Sequence, residues 1–126
     1  MHTSRQFWSG GTLKMIDLKY ADKNLYINNR LVTLDYPIKE AFTLSDKIIV
    51  LSDPDSNLGK DGQFKNLICL DKRGNIVWVA EMPTDKNSDV YYKISKRNPL
   101  TVYSFCSFEC EIDIKNGTIK RKIFFK

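Results

Sequence analysis

Helical spacing of apolar residues is almost absent from this chain, and that absence constrains its fold more than any motif does. Short apolar runs rich in Ile, Val, Tyr and Phe recur instead, each bounded by Asn, Asp, Gly or Pro. Such runs between turn-forming residues read as strands. NLYINNRLVTL (24–34) reads as a tight hairpin, because Asn28 and Asn29 tolerate the positive-φ positions of a two-residue turn. IKEAFTLSDKIIVLSD (38–53) reads as a second hairpin around Ser45-Asp46. NLICLDKRGNIVWVAEM (66–82) reads as a third, with Gly74 in the turn. VYYKI (90–94) and LTVYSF (100–105) flank KRNP, and CEIDIKNGTIKRKIF (110–124) ends the series. One helical turn fits around 85–89, and nothing requires it. The expectation is an all-β domain of antiparallel meanders.

The last hairpin has a predicted register. A two-residue turn at Asn116-Gly117 sets Ile114 opposite Ile119, Asp113 opposite Lys120 and Glu111 opposite Lys122. Side chains alternate faces along a strand. Cys110, Ile112 and Ile114 then share a face with Ile119 and Ile123, and only Arg121 interrupts it.

With 126 residues the chain has room for one domain with a modest core. Its longest apolar runs, such as Ile48 to Leu51 and Ile76 to Ala80, are too short for a membrane span or a signal-peptide core. Three cysteines, Cys69, Cys106 and Cys110, form no CxxC pair and leave an odd count, which points to reduced thiols and a cytoplasmic location. The formal charge of +5 is unevenly spread. Of the 20 basic residues, two lie in residues 1–14 and five in the last twelve; the remaining 13 face all 15 acidic residues, a net of −2 for residues 15–114. The body is therefore near neutral with a basic C-terminal strand. Residues 1–14 lack periodicity and are expected to be a disordered extension or a cloning remnant, with Met15 a native start and 15–126 the single β domain.

LICLDKRGNIVW (67–78) and CEIDIKNGTIKR (110–121) share a pattern of strand, Asp, short Gly-containing turn, strand. Asp71 and Asp113 are each placed to cap their turn through backbone N–H groups. The pattern, ending in Trp78, resembles the outer hairpin of a quinoprotein-type or WD-repeat propeller blade. The resemblance implies four-stranded blade-like meanders over residues 36–126, two of them packed into a compact, sandwich-like domain. A closed propeller needs at least four blades, more than this length holds.

SDPDSNLGKDGQFKN (52–66) is the stretch most like a site. Asp53, Asp55 and Asn57 match the first three ligand positions of a calcium loop, but Leu58 and Phe64 stand where such a loop needs Gly and Glu. The remaining readings are a long strand connection and a partner-binding loop. Catalysis has little to draw on: the only histidine is His2, so Ser-His-Asp and Cys-His arrangements are lacking. No cofactor or metal is expected. Cys106 and Cys110 share a face if their strand is continuous, without the further ligands a zinc site needs. Glu109, Glu111 and Asp113 read as a salt-bridged row.

The pattern YPIKEAFTLSDKIIVLSDP followed by NLICLDKRGNIVWVAEMP resembles small bacterial immunity proteins of contact-dependent growth-inhibition and related toxin systems. The resemblance implies a non-enzymatic protein that binds a cognate toxin domain, often a nuclease, and occludes it. Immunity proteins share no motif, so it assigns no residues. The chain's own carboxylates suggest Asp53, Asp55 and Asp61 as partner-binding residues, with Asp85 and Glu109 beside them. The alternative is a nucleic-acid module using Lys120, Arg121 and Lys122 near Phe124 and Phe125, cations interleaved with aromatics. A third reading is self-association through the edge of the last strand.

Overall fold

A computed structural model describes residues 2–9, 12–57 and 61–125, with side chains from Ile16 onward. Among these residues, twelve strands form three four-stranded antiparallel sheets, each a meander in chain order. The first sheet holds β1 (His2–Ser9), β2 (Thr12–Ala21), β3 (Asn24–Ile27) and β4 (Arg30–Thr33). The second holds β5 (Ile38–Leu44), β6 (Lys47–Ser52), β7 (Leu67–Leu70) and β8 (Ile76–Val79). The third holds β9 (Tyr91–Lys96), β10 (Thr101–Ser104), β11 (Phe108–Ile112) and β12 (Ile119–Phe124). The two expected blade-like meanders are the second and third sheets. The first sheet takes in the segment set aside as an extension: the backbone of His2 to Ser9 pairs with Lys19 back to Thr12. Where one helical turn could fit, residues 86–89 form a tight turn, with the Asp89 N–H on the Lys86 carbonyl at 3.0 Å, and 85–89 hold no helix.

The second sheet is the middle layer, and its sequence shows why. On β6, Ile48 and Val50 join a core with Leu18, Leu25 and Ile27 of the first sheet. Ile49 and Leu51, pointing the other way, join Tyr91, Val102 and Cys110 of the third. A strand buried on both faces has no polar side to alternate with, hence the unbroken Ile-Ile-Val-Leu run. Each such side chain contributes about 1.5–3 kcal/mol by leaving water.

The repeat at 67–78 and 110–121 marks how successive sheets dock. Gly74 has φ +90°, and a Cβ there would lie 2.6 Å from Cγ2 of Val32 on β4. Gly117 has φ +79°, and its Cβ would lie 2.6 Å from Cε3 of Trp78 on β8. In both cases a glycine turn seats on the outer strand of the preceding sheet. Trp78 Nε1 then donates to the Ile114 carbonyl at 2.9 Å.

The early hairpins form as expected, with positive φ at Asn28, Asn29, Ser45 and Gly74. The last hairpin is shifted. Glu111 faces Arg121, Cys110 faces Lys122, and a bulge falls between Glu111 and Ile112. The cause is the turn: the Asp113 carbonyl accepts the Gly117 N–H at 2.7 Å, and the Asp113 N–H donates to Thr118 at 2.8 Å. That loop is longer than two residues, and one residue of slip moves each side chain to the other face. Arg121 thus leaves the apolar face that it seemed to interrupt, and Lys122 enters it.

Candidate functional site

Because each sheet is a meander, the β4–β5, β6–β7, β8–β9 and β10–β11 connections emerge at one end of the molecule. That end, which the β2–β3 turn shares, carries Asp22, Asp35, Asp53, Asp55, Asp61 and Asp85 against Lys23, Lys65 and Lys86. Asp53 is committed locally. Its N–H donates to the Pro37 carbonyl at 2.8 Å, and its Oδ1 accepts the Asp55 N–H at 3.0 Å. Its own carbonyl accepts the Ser56 hydroxyl at 2.6 Å, so Asp53 opens the short 3-10 turn Pro54–Asn57. Asp55, Asp61 and Asp85 are exposed.

The loops bearing them are tied together. Gln63 Nε2 donates to the carbonyls of Thr84 and Lys86, both at 2.9 Å, which holds Asp85 beside the 53–66 loop. The Tyr36 hydroxyl donates to Asn57 Oδ1 at 3.2 Å, and its ring tilts against Phe64 with centroids 4.6 Å apart. Below, buried Asn66, just before β7, clamps β6 to β9. Its Nδ2 donates to the carbonyls of Ser52 and Tyr91, at 3.0 and 2.6 Å, and its Oδ1 accepts the Tyr91 N–H at 3.1 Å. Asp89, also fully buried, accepts the Thr84 hydroxyl at 2.7 Å and the Cys106 N–H at 2.9 Å. Gln63, Asn66 and Asp89 order this end, and sequence reading singled out none of them. Their partners are mostly backbone groups 14 to 25 residues away, which leave no local pattern.

The other expected site residues are dispersed. Glu109 lies on the face of the third sheet turned away from the second, opposite Tyr103 and Ile123. There it shares a groove of about 210 Å³ with Lys96, Glu111 and Arg121, apart from the loop acids. Lys120 Nζ is 3.8 Å from Glu111 Oε2. Arg121 joins the outer groove, and Lys122 turns inward to donate to the Pro83 carbonyl at 3.1 Å. The Lys122 ammonium also lies 5.1 Å from the Phe108 ring centroid. The three cations therefore do not form one platform.

Among the described residues, no group of three His, Cys, Asp or Glu is placed to hold a metal ion. Asn57 and Asp53, two of the calcium-loop positions, spend the oxygens named above on Tyr36 and on the chain. Cys106 sits in the turn after β10 and Cys110 inside β11, so they do not share one strand. Burial raises the thiols of Cys69 and Cys110 from the ordinary 9.0 to about 11. Below pH 9 this favours the folded state. Between about pH 9 and 11 the unfolded thiols ionise while the folded ones do not, so stability falls across that window. We expect native protein to be alkylated at half-buried Cys106 first, with Cys69 and Cys110 reacting only on unfolding. Peptide mapping after timed iodoacetamide treatment reads this directly. Equal labelling of all three in native protein contradicts it.

A cleft of about 380 Å³ opens below the acidic end, between β4 and β8. Val32, Leu34, Phe64, Ile68, Ile76 and Val79 line it. No helix among the described residues is long and apolar enough to cross a membrane. No curated protein and no solved structure matches the chain. A family described as a domain of unknown function, DUF7957, matches residues 15–124. The chain belongs to that family.

Proposed function

We propose that this is a bacterial, cytoplasmic immunity protein that binds a cognate toxin domain and blocks it by occlusion, without catalysis of its own. One observation carries the reading: exposed Asp55, Asp61 and Asp85 lie on connections at one end, and Gln63 ties the segment bearing Asp61 to the one bearing Asp85. An end ordered before binding loses less conformational entropy when it docks. Grouped carboxylates also steer a basic cleft, such as that of a nuclease, toward the right orientation. Asp53 supports the loop from within, and Glu109 lies outside this surface.

The test is co-expression with the toxin domain encoded beside the gene, followed by binding kinetics on the purified pair. Replacing Asp55, Asp61 and Asp85 together by Asn is expected to slow association about tenfold or more at low salt and to flatten its salt dependence. Growth rescue is expected to weaken in parallel. Replacing Lys120 and Arg121 by Gln leaves toxin binding unchanged on this reading. If that pair matters instead, and the protein retains RNA or DNA with a steep salt slope, the nucleic-acid reading replaces this one.

A further inference from the structure

Among the described residues, each sheet ends in strands that no further strand pairs with, and a bare edge invites another strand. The edge at β12 is guarded by Lys120, Arg121 and Lys122 and by the bulge at Glu111. β4 begins with Arg30. β8, Ile76-Val77-Trp78-Val79, also has a register shift, opposite Cys69 and Leu70, but it carries no charge and no proline. Its Ile76 is 61% exposed, and Val77 and Val79 are each 43% exposed. The remaining outer strands carry charges too, Arg5 on β1, Lys39 and Glu40 on β5 and Lys93 and Lys96 on β9, which leaves β8 as the uncharged edge.

A cleft flanks β8 on each face. On the side of the first sheet, Ile76 and Val79 wall the cleft of about 380 Å³. On the side of the third sheet, Val77 walls one of about 300 Å³ with Leu44, Ile49 and Ile114. A strand added to β8 would drop successive side chains into one cleft and then the other, because they alternate faces. Charge selects which strand. Exposed Lys72 and Arg73 precede β8, and exposed Glu81 follows it, still charged although its Oε1 accepts the Ile119 N–H at 2.9 Å and its N–H donates to the Gly117 carbonyl at 2.9 Å. The neighbouring Asp71 carboxylate is occupied by the N–H groups of Arg73 and Asn75, at 2.9 Å each. An antiparallel partner must therefore be apolar, with an acid near Lys72 and Arg73 and a cation near Glu81.

β8 of a second copy meets every one of these requirements. We infer that two copies of this chain join through β8, antiparallel about a two-fold axis, so that their second sheets become one continuous sheet. Arg73 of each copy then approaches Glu81 of the other. The contact borders the acidic end through the cleft that Asp35 and Phe64 help to line, but it uses none of Asp55, Asp61 and Asp85, so their replacement tests toxin binding separately. A four-residue edge gives a weak dimer that forms with rising concentration.

Sedimentation velocity on the full chain, from low to high micromolar concentration, tests this. The expected result is a monomer–dimer equilibrium that Val77→Lys and, separately, Glu81→Lys each weaken about tenfold or more. Combining Glu81→Lys with Lys72→Glu and Arg73→Glu reverses both ends and is expected to restore the dimer. Circular dichroism checks that each variant is folded; if Val77→Lys is not, the charge swap decides. A monomer at every concentration overturns the inference, also if β8 then captures a peptide from another protein. So does a dimer indifferent to all of these changes.

Discussion

Asn66→Asp is expected to destabilise this protein more than Asn66→Ala, although aspartate has the same shape. Asn66 is 1% exposed and gives both amide protons to backbone carbonyls, those of Ser52 and Tyr91. Alanine leaves two carbonyls and the Tyr91 N–H without partners, and each buried group so orphaned costs about 1–3 kcal/mol. The sum is a large part of the roughly 5–15 kcal/mol that holds a domain folded. Aspartate keeps an acceptor for the Tyr91 N–H. It also sets a charged oxygen where Nδ2 stood, 2.6 and 3.0 Å from two carbonyl oxygens. A buried charge facing other acceptors is worse than an empty site. Urea unfolding near neutral pH should rank wild type above alanine and alanine above aspartate. In mild acid the aspartate variant should recover in part, since a protonated carboxyl donates to one carbonyl. An aspartate variant as stable as wild type would mean that Asn66 does not clamp β6 to β9.

The parts of this fold that were legible in the sequence depend on local chemistry. Asn28-Asn29, Ser45 and Gly74 each supply a positive φ within a turn, a property of the residue itself. The Ile48–Leu51 run marked a strand, and its lack of polar alternation carried the further message that both faces are covered. The final hairpin was misread for a physical reason. Lys120, Arg121 and Lys122 are consecutive cations, so any register gives the carboxylates of Glu111 and Asp113 a cation nearby. Charge pairing therefore could not choose between registers, and the loop closed by Asp113 did. At the acidic end, the turn that Asp53 opens is local chemistry of the same kind, since aspartate before proline favours turn initiation. Gln63, Asn66 and Asp89 were not legible, since their roles exist only once distant strands have met.

The glycine turn that seats on Trp78 makes the sheet-to-sheet contact measurable. Trp78→Ala removes a buried indole and its hydrogen bond to Ile114, with an expected loss of about 3–5 kcal/mol. Gly117→Ala carries two penalties. One is the left-handed backbone, φ +79°, worth about 1–2 kcal/mol for any residue with a Cβ. The other is contact, because the new methyl would lie 2.6 and 2.7 Å from the ring atoms Cε3 and Cδ2 of Trp78. Gly62→Ala isolates the first penalty: φ there is +86°, and no atom lies within 4 Å of the added Cβ. Gly117→Ala should therefore lose clearly more than Gly62→Ala by urea unfolding. In a Trp78→Ala background the difference should close, since the methyl then enters space the indole has left. The double-mutant coupling, expected at about 1–2 kcal/mol, measures how tightly the third sheet is seated on the second. Strict additivity would show that Gly117 is required for its backbone angle alone, and that the recurring glycine of this fold shapes turns without docking sheets.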